Sequence, residues 1–309
     1  MRRISAALVM LLILASCGQG SAEDEDALSI VVSTNILGDV VTQLTAEDAS
    51  VDVLIPVGVD PHDFQPSARQ VAAISEADLV VVNGLGLEEG LDDVVESAES
   101  DGVAVLEIAP LVDPLPFEPH DEDEGNEGEE GHEGLDPHVW TDPIRMSTAV
   151  TAIADKLKEV APEIDWTSRA GGYAADLAEA DETIKEVLAA IPEENRKLVT
   201  SHDSLGYFAD RYQLEVIGVV IPGGSTLADP SSEELAALVE TMRREGVTAI
   251  FGETTRPSAL AETLAAELGA DVKIVELFTG SLGEAGSGAD TLPSMLVTNA
   301  KRIAEALGG

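Results

Sequence analysis

The feature that most constrains this chain is a pattern made twice: short Val- and Ile-rich runs separated by segments of helical periodicity. In the first half the runs fall at 29–35, 51–57, 79–83 and 103–108, with helices predicted near 37–45, 68–76 and 87–97. In the second half they fall at 197–201, 215–221, 248–252 and 272–278. Helices are predicted there near 205–212, 231–245 and 258–268, with a last one at 292–307. Continuously apolar strands that alternate with helices belong to parallel sheets covered on both faces. Two such blocks predict an α/β fold of two doubly wound lobes, each on a four-stranded, mostly parallel sheet. Between the blocks, helical periodicity runs over 145–160, breaks at Pro162 and resumes over 165–190, with no Gly/Ser linker. A helical connection is stiff and opposes large hinge closure. The expected units are an N-terminal lobe at 28–163, a linker helix at 164–191 and a C-terminal lobe at 192–309.

The amino terminus predicts the compartment. Arg2 and Arg3 precede an apolar run at 6–14, which ends in Leu14-Ala15-Ser16-Cys17. That run is too short to span a bilayer, so 1–17 reads as a secretory signal closing in a lipobox. Cleavage before Cys17 would leave this residue to carry the lipid, with 18–27 as a polar tether. The alternative is an ordinary signal peptide with an incidental cysteine. Cys17 is the only cysteine, so an exported chain with access to disulfides makes none. The expected location is outside the cytoplasm, attached to the membrane by lipid alone, as a monomer.

Charge narrows the partners. With 59 acidic and 17 basic side chains the net charge is −42, which repels nucleic acid. It does not point to metal by itself, because acidic, lysine-poor surfaces equally serve solubility in salt. The segment 113–136 is rich in Asp and Glu, holds no Lys or Arg, and carries His120 and His132. It has little apolar surface to bury and predicts a mobile loop. Such a loop either gathers metal weakly or is a solvated spacer.

Histidine is scarce: the chain has five. His62 lies in Asp60-Pro61-His62-Asp63-Phe64-Gln65-Pro66-Ser67, after the second predicted strand. His138 lies in Asp136-Pro137-His138-Val139-Trp140-Thr141-Asp142-Pro143, and His202 ends a predicted strand in Ser201-His202-Asp203-Ser204-Leu205-Gly206-Tyr207-Phe208. Ligands of open α/β sheets bind beyond the carboxyl ends of strands, where two of these histidines stand. Imidazole suits Zn, Cu, Fe or Ni, whereas Mg, Ca and Mn favour oxygen. Taken singly, each histidine reads as readily as a capping or hydrogen-bonding residue, and spacing alone does not bring three loops together.

The lipobox, these three motifs in order and the acidic His-bearing segment resemble the zinc/manganese substrate-binding proteins of ABC importers, over the whole mature chain. The resemblance implies two lobes joined by a long helix with metal in the cleft between them. It implies His62, His138 and His202 as ligands, capture of Zn2+ ahead of Mn2+, and delivery to an ABC permease in the membrane. Manganese relatives usually carry Glu at the position of His202. Many relatives also place an Asp where this chain has Gly280, within Thr279-Gly280-Ser281, so a fourth ligand is missing. Water, the acidic segment, Asp60, Asp290 or Glu253 are candidates to replace it, and Glu253 serves equally as a hydrogen-bond partner of a ligating histidine. No Walker loop, G-x-G-x-x-G, H-E-x-x-H or G-x-S-x-G motif is present. The expectation is therefore a binding protein and not an enzyme. Two alternatives remain open: a zinc-dependent hydrolase, since three histidines also make a catalytic zinc site, and an adhesin-like surface lipoprotein.

Overall fold

The computed structural model describes residues 28–117, 134–269 and 272–308. The lipobox with Cys17, the tether, His120 and His132 all lie outside these residues. Strands β1 (Leu28–Thr34), β2 (Ala49–Ile55), β3 (Leu79–Val82) and β4 (Ala104–Glu107) pair in the order β2-β1-β3-β4. Strands β5 (Lys197–His202), β6 (Glu215–Ile221), β7 (Ala249–Glu253) and β8 (Lys273–Leu277) repeat it as β6-β5-β7-β8. Every neighbouring pair is parallel. The run Leu79–Val82 is buried throughout, as a central parallel strand must be. In each sheet the chain reverses direction between its first and third strand, and loops leaving the carboxyl ends there form a natural crevice.

Helices cover both faces. The first sheet carries α1 (Asn35–Thr45), α2 (Ala68–Glu76) and α3 (Asp92–Ser100). The second carries α6 (Gly206–Tyr212), α7 (Ser232–Glu245) and α8 (Ala259–Leu268). Helix α2 opens with a capping box from Ser67 and Gln70, and α7 with one from Ser231 and Glu234, so each start is written locally. Between the sheets run α4 (Pro143–Val160) and α5 (Trp166–Leu188), and α9 (Leu292–Leu307) packs back on α5.

The core explains why this assembly is stiff. One face of each sheet has its own apolar cluster, around Val31, Leu54 and Val80 in the first and Val199, Ile250 and Leu264 in the second. The other faces share a single cluster that runs from Ile30 and Val81 through Ile153 and Leu177 to Phe251 and Met295. Swinging one sheet from the other would open this shared interior to water, at about 25 cal/mol per Å² of apolar surface.

The strand order and the helical connection agree with the sequence reading, and one boundary needs correction. The third helix begins at Asp92, not at 87. Gly84, Leu85 and Gly86 all take positive φ, so the chain turns tightly after β3. Glu88 then folds back, accepting the backbone N–H of Asn83 at 2.9 Å and of Gly84 at 3.3 Å. Leu87 and Leu91 are buried, which gives this turn the apolar spacing of a helix start. The ends of the acidic segment meet: Phe117 N–H donates to Gly134 at 2.8 Å and Asp136 N–H to Leu115 at 2.8 Å.

Candidate metal centre

Three loops deliver three histidines to one point. His62 follows β2, His138 precedes a short 3-10 turn at Val139–Thr141, and His202 is the last residue of β5. The Nε2 atoms of His62 and His138 are 3.3 Å apart, and those of His202 and His138 3.1 Å. One ring nitrogen from each of the three lies within 4.8 Å of the others. All are enclosed, with 2%, 1% and 1% of their surface exposed. Nε2 lone pairs turned towards each other repel unless a proton or a metal cation lies between them, and a metal can serve all three at once. The donor set suits zinc, copper, iron or nickel.

Two of the rings are gripped from behind. Asp136 Oδ1 accepts both the backbone N–H of His138, at 2.8 Å, and its Nδ1, at 2.7 Å. Glu253, at the end of β7, accepts His202 Nδ1 at 2.5 Å, Ser201 Oγ at 2.7 Å and Thr279 Oγ1 at 3.1 Å. A carboxylate on Nδ1 fixes the tautomer that leaves Nε2 free for metal and raises the basicity of the ring. Tyr207 OH donates to the carbonyl of Asp136 at 2.5 Å, and a Cβ at Gly206 would lie 2.9 Å from Asp136 Oδ2. The motif around His202 thus also positions the loop of His138. Trp140 packs edge-on against His138 and donates from Nε1 to the Thr279 carbonyl at 2.7 Å.

Electrostatics divides the three. Burial, then the neighbouring rings, lowers His62 to about 3. Burial lowers His138 to about 3 and raises Asp136 to about 8. Burial thus works against charge on both members of this pair. Burial acts against charge on His202 too, but Glu253 outweighs it and raises the ring above its ordinary value. Burial would raise Glu253 in turn, yet the His202 charge and the donated hydrogen bonds hold it at about 2.

The candidates for a fourth donor are placed as follows. Glu253 stands on the Nδ1 side of His202, away from the converging Nε2 atoms, with both oxygens accepting hydrogen bonds. Asp60 accepts the N–H of His62 at 3.1 Å through Oδ1, and Thr226 and Arg256 through Oδ2. Asp290 is exposed and accepts the N–H of Gly286 at 3.0 Å within its own loop. None of the three joins the histidine cluster among the described residues. Gly280 lies against the His62 loop: a Cβ there would sit 3.2 Å from Pro61 Cδ.

Asp136 was not singled out in the sequence, although its signal is visible. Asp-Pro-His occurs twice, at 60–62 and 136–138, and a short Asp side chain readily bonds the backbone two residues on. Both do so.

Fold and centre together define a two-sheet binding protein with a closed trihistidine site where the sheets meet. The profile of the family described as zinc-uptake complex component A, periplasmic, matches residues 30–306, and the chain belongs to this family. It is a family of periplasmic solute-binding proteins and not of enzymes. The manganese-binding lipoprotein MntA of Halalkalibacterium halodurans is 35% identical over 298 residues, covering 94% of this chain and 93% of the relative. The zinc-binding protein TroA of Treponema pallidum is 30% identical over 291 residues, covering 91% and 90%. A solved structure of the Treponema pallidum protein superposes with a TM-score of 0.81 at 28% identity, covering 91% of this chain and 99% of that one. A crystal structure of ZnuA superposes with a TM-score of 0.74 at 29% identity, again covering 91% and 99%.

Proposed function

We propose that this metal-binding substrate-binding protein of an ABC importer captures Zn2+ between His62, His138 and His202 and hands it to a membrane permease. The convergence of three buried imidazole Nε2 atoms from both sheets carries this reading. Nitrogen donors favour zinc over manganese, which prefers carboxylate and carbonyl oxygen. A fourth position left to water or an exchangeable anion completes the tetrahedron that zinc adopts. The protein works outside the cytoplasm, held to the membrane through lipid on Cys17, as a monomer beside its permease. Relatives named for manganese and for zinc both exist, so the decisive experiment loads both ions in competition. Metal analysis of chelated and reloaded protein, given equimolar Zn2+ and Mn2+, is expected to return one zinc per chain. Manganese at the site in preference would overturn the assignment. His62→Ala, His138→Ala and His202→Ala should each weaken zinc by more than the roughly 10–100-fold that loss of an outer hydrogen-bond partner costs. Calorimetry showing full affinity in any one variant removes that residue from the shell.

A further inference from the structure

The two Asp-Pro-His segments do the same thing with one carboxylate oxygen and different things with the rest of the side chain. At 136–138 the carboxylate also takes the ring of its own histidine. At 60–62 it does not. Asp60 Oδ2 reaches to the second sheet instead, accepting Thr226 Oγ1 at 2.7 Å and Arg256 Nη1 at 3.1 Å. Arg256 Nη1 also donates to Thr226 Oγ1 at 2.8 Å, which closes a three-membered clasp. Thr226 sits in the loop after β6 and Arg256 in the loop after β7. Asp60 and Thr226 are buried, at 8% and 1% exposure, so their contact is shielded from water, while the Arg256 side chain closes the clasp from the half-buried side. A second tie lies two residues earlier, where Gly58 N–H donates to Ser281 Oγ at 2.8 Å.

The His62 ring pays for this arrangement in its own anchoring. Its Nδ1 is buried and has no hydrogen-bond partner, whereas the Nδ1 atoms of His138 and His202 each meet a carboxylate. What fixes His62 is its backbone N–H on Asp60, and what fixes Asp60 is the other sheet. We infer that Thr226 and Arg256 are positioning residues that set how long the metal is retained, with His62 the ligand that leaves first. Separation of the loops by a small amount breaks the clasp, frees Asp60, and draws His62 off the metal, while His138 and His202 stay gripped. Retention is thereby made a property of contact between the two sheets, without any large hinge motion. The inference rests on the trihistidine centre being the cargo site.

The test compares Arg256→Gln, Thr226→Val and Arg256→Lys with the wild type, using the full mature protein. Arg169→Gln serves as control: it removes a comparable tie, to the carbonyls of Leu44 and Thr45, on the first sheet's side. Dissociation of Zn2+, or of Mn2+ if the wild type retains that ion instead, is followed by stopped-flow transfer to a chromogenic chelator. Loss of a hydrogen bond to a charged group predicts release about tenfold faster or more in Arg256→Gln. Thr226→Val should accelerate release less, and Arg256→Lys should restore part of the retention. Melting of the metal-free clasp variants should fall no further than that of Arg169→Gln. Unchanged release in both clasp variants overturns the inference, and so does equal acceleration in Arg169→Gln, which would mark general loosening. Amide exchange over 57–63 in metal-free protein reads the clasp independently of any ion. It should quicken in Arg256→Gln, and unaltered exchange there counts against the clasp. A wild type that binds neither ion refutes the cargo reading, while the exchange result still judges the clasp.

Discussion

Replacing Glu253 by Gln isolates what a buried charge behind a ligand contributes. The amide keeps the size of the side chain and an oxygen for His202 Nδ1, now 2.5 Å from the carboxylate. The Ser201 and Thr279 hydroxyls, at 2.7 and 3.1 Å, can turn to suit an amide. The full negative charge is what is lost. Removal of an outer partner of a metal-bound histidine costs about 10–100-fold in affinity, or about 1.4–2.7 kcal/mol. A second effect has the opposite sign. Glu253 raises the pKa of His202 in the metal-free protein, so below that pKa a proton must leave before metal binds. The Gln variant lowers this pKa and weakens the proton competition. The wild-type advantage should therefore be largest near pH 8 and shrink towards pH 6. Competition titrations against a chromogenic chelator across that range read both effects. A ratio that grows on acidification refutes the tautomer and basicity argument. A loss beyond about 10⁴-fold, well outside that of an outer partner, would make Glu253 a direct ligand.

Zinc binding near neutral pH should release one or two protons: one from His202, held above its ordinary pKa, and one from the Asp136–His138 pair, whose carboxyl is pushed up to about 8. His62, lowered to about 3, is already neutral and releases none; calorimetry in buffers of different ionisation enthalpy would contradict this with three protons or with zero. Gly280→Asp adds an anionic donor where the new Cβ lies 3.2 Å from Pro61 Cδ, a contact that a shift of a few tenths of an ångström relieves. We expect zinc affinity to rise about tenfold, or about 1.4 kcal/mol, over Gly280→Ala, which adds the Cβ alone; equal affinities in the two variants would refute a vacant fourth position. With a net charge of −42, stability should rise with ionic strength as self-repulsion is screened, and a melting temperature that falls between 0.05 and 1 M KCl, concentrations chosen to span the Debye length from about 14 to 3 Å, would show that ion pairs dominate instead.

The sheets were legible because buried parallel strands are written as uninterrupted Val and Ile runs. The start of α3 was not: buried Leu87 and Leu91 have helical spacing, and only the backbone angles at 84–86 disclose the turn. For the centre, the motifs named three histidines but could not assign the carboxylates around them. Glu253 and Asp60 both read as possible donors, and distance alone separates their places. The partners of Asp60 are 166 and 196 residues away in the chain, in loops with no motif of their own. Contacts of that range depend on how two sheets pack, which residue spacing does not encode.

The near-complete burial of the three histidines, at 1–2% exposure, has a consequence for the chemistry of the medium. An ion reaching those nitrogens must first shed most of its water. Magnesium dehydrates reluctantly and demands six oxygen ligands, so abundance does not help it compete. Zinc held by an organic chelator would have to leave it before meeting nitrogens this enclosed. On the proposed function, what this protein reads is thus the free-ion activity of its surroundings and not the total metal.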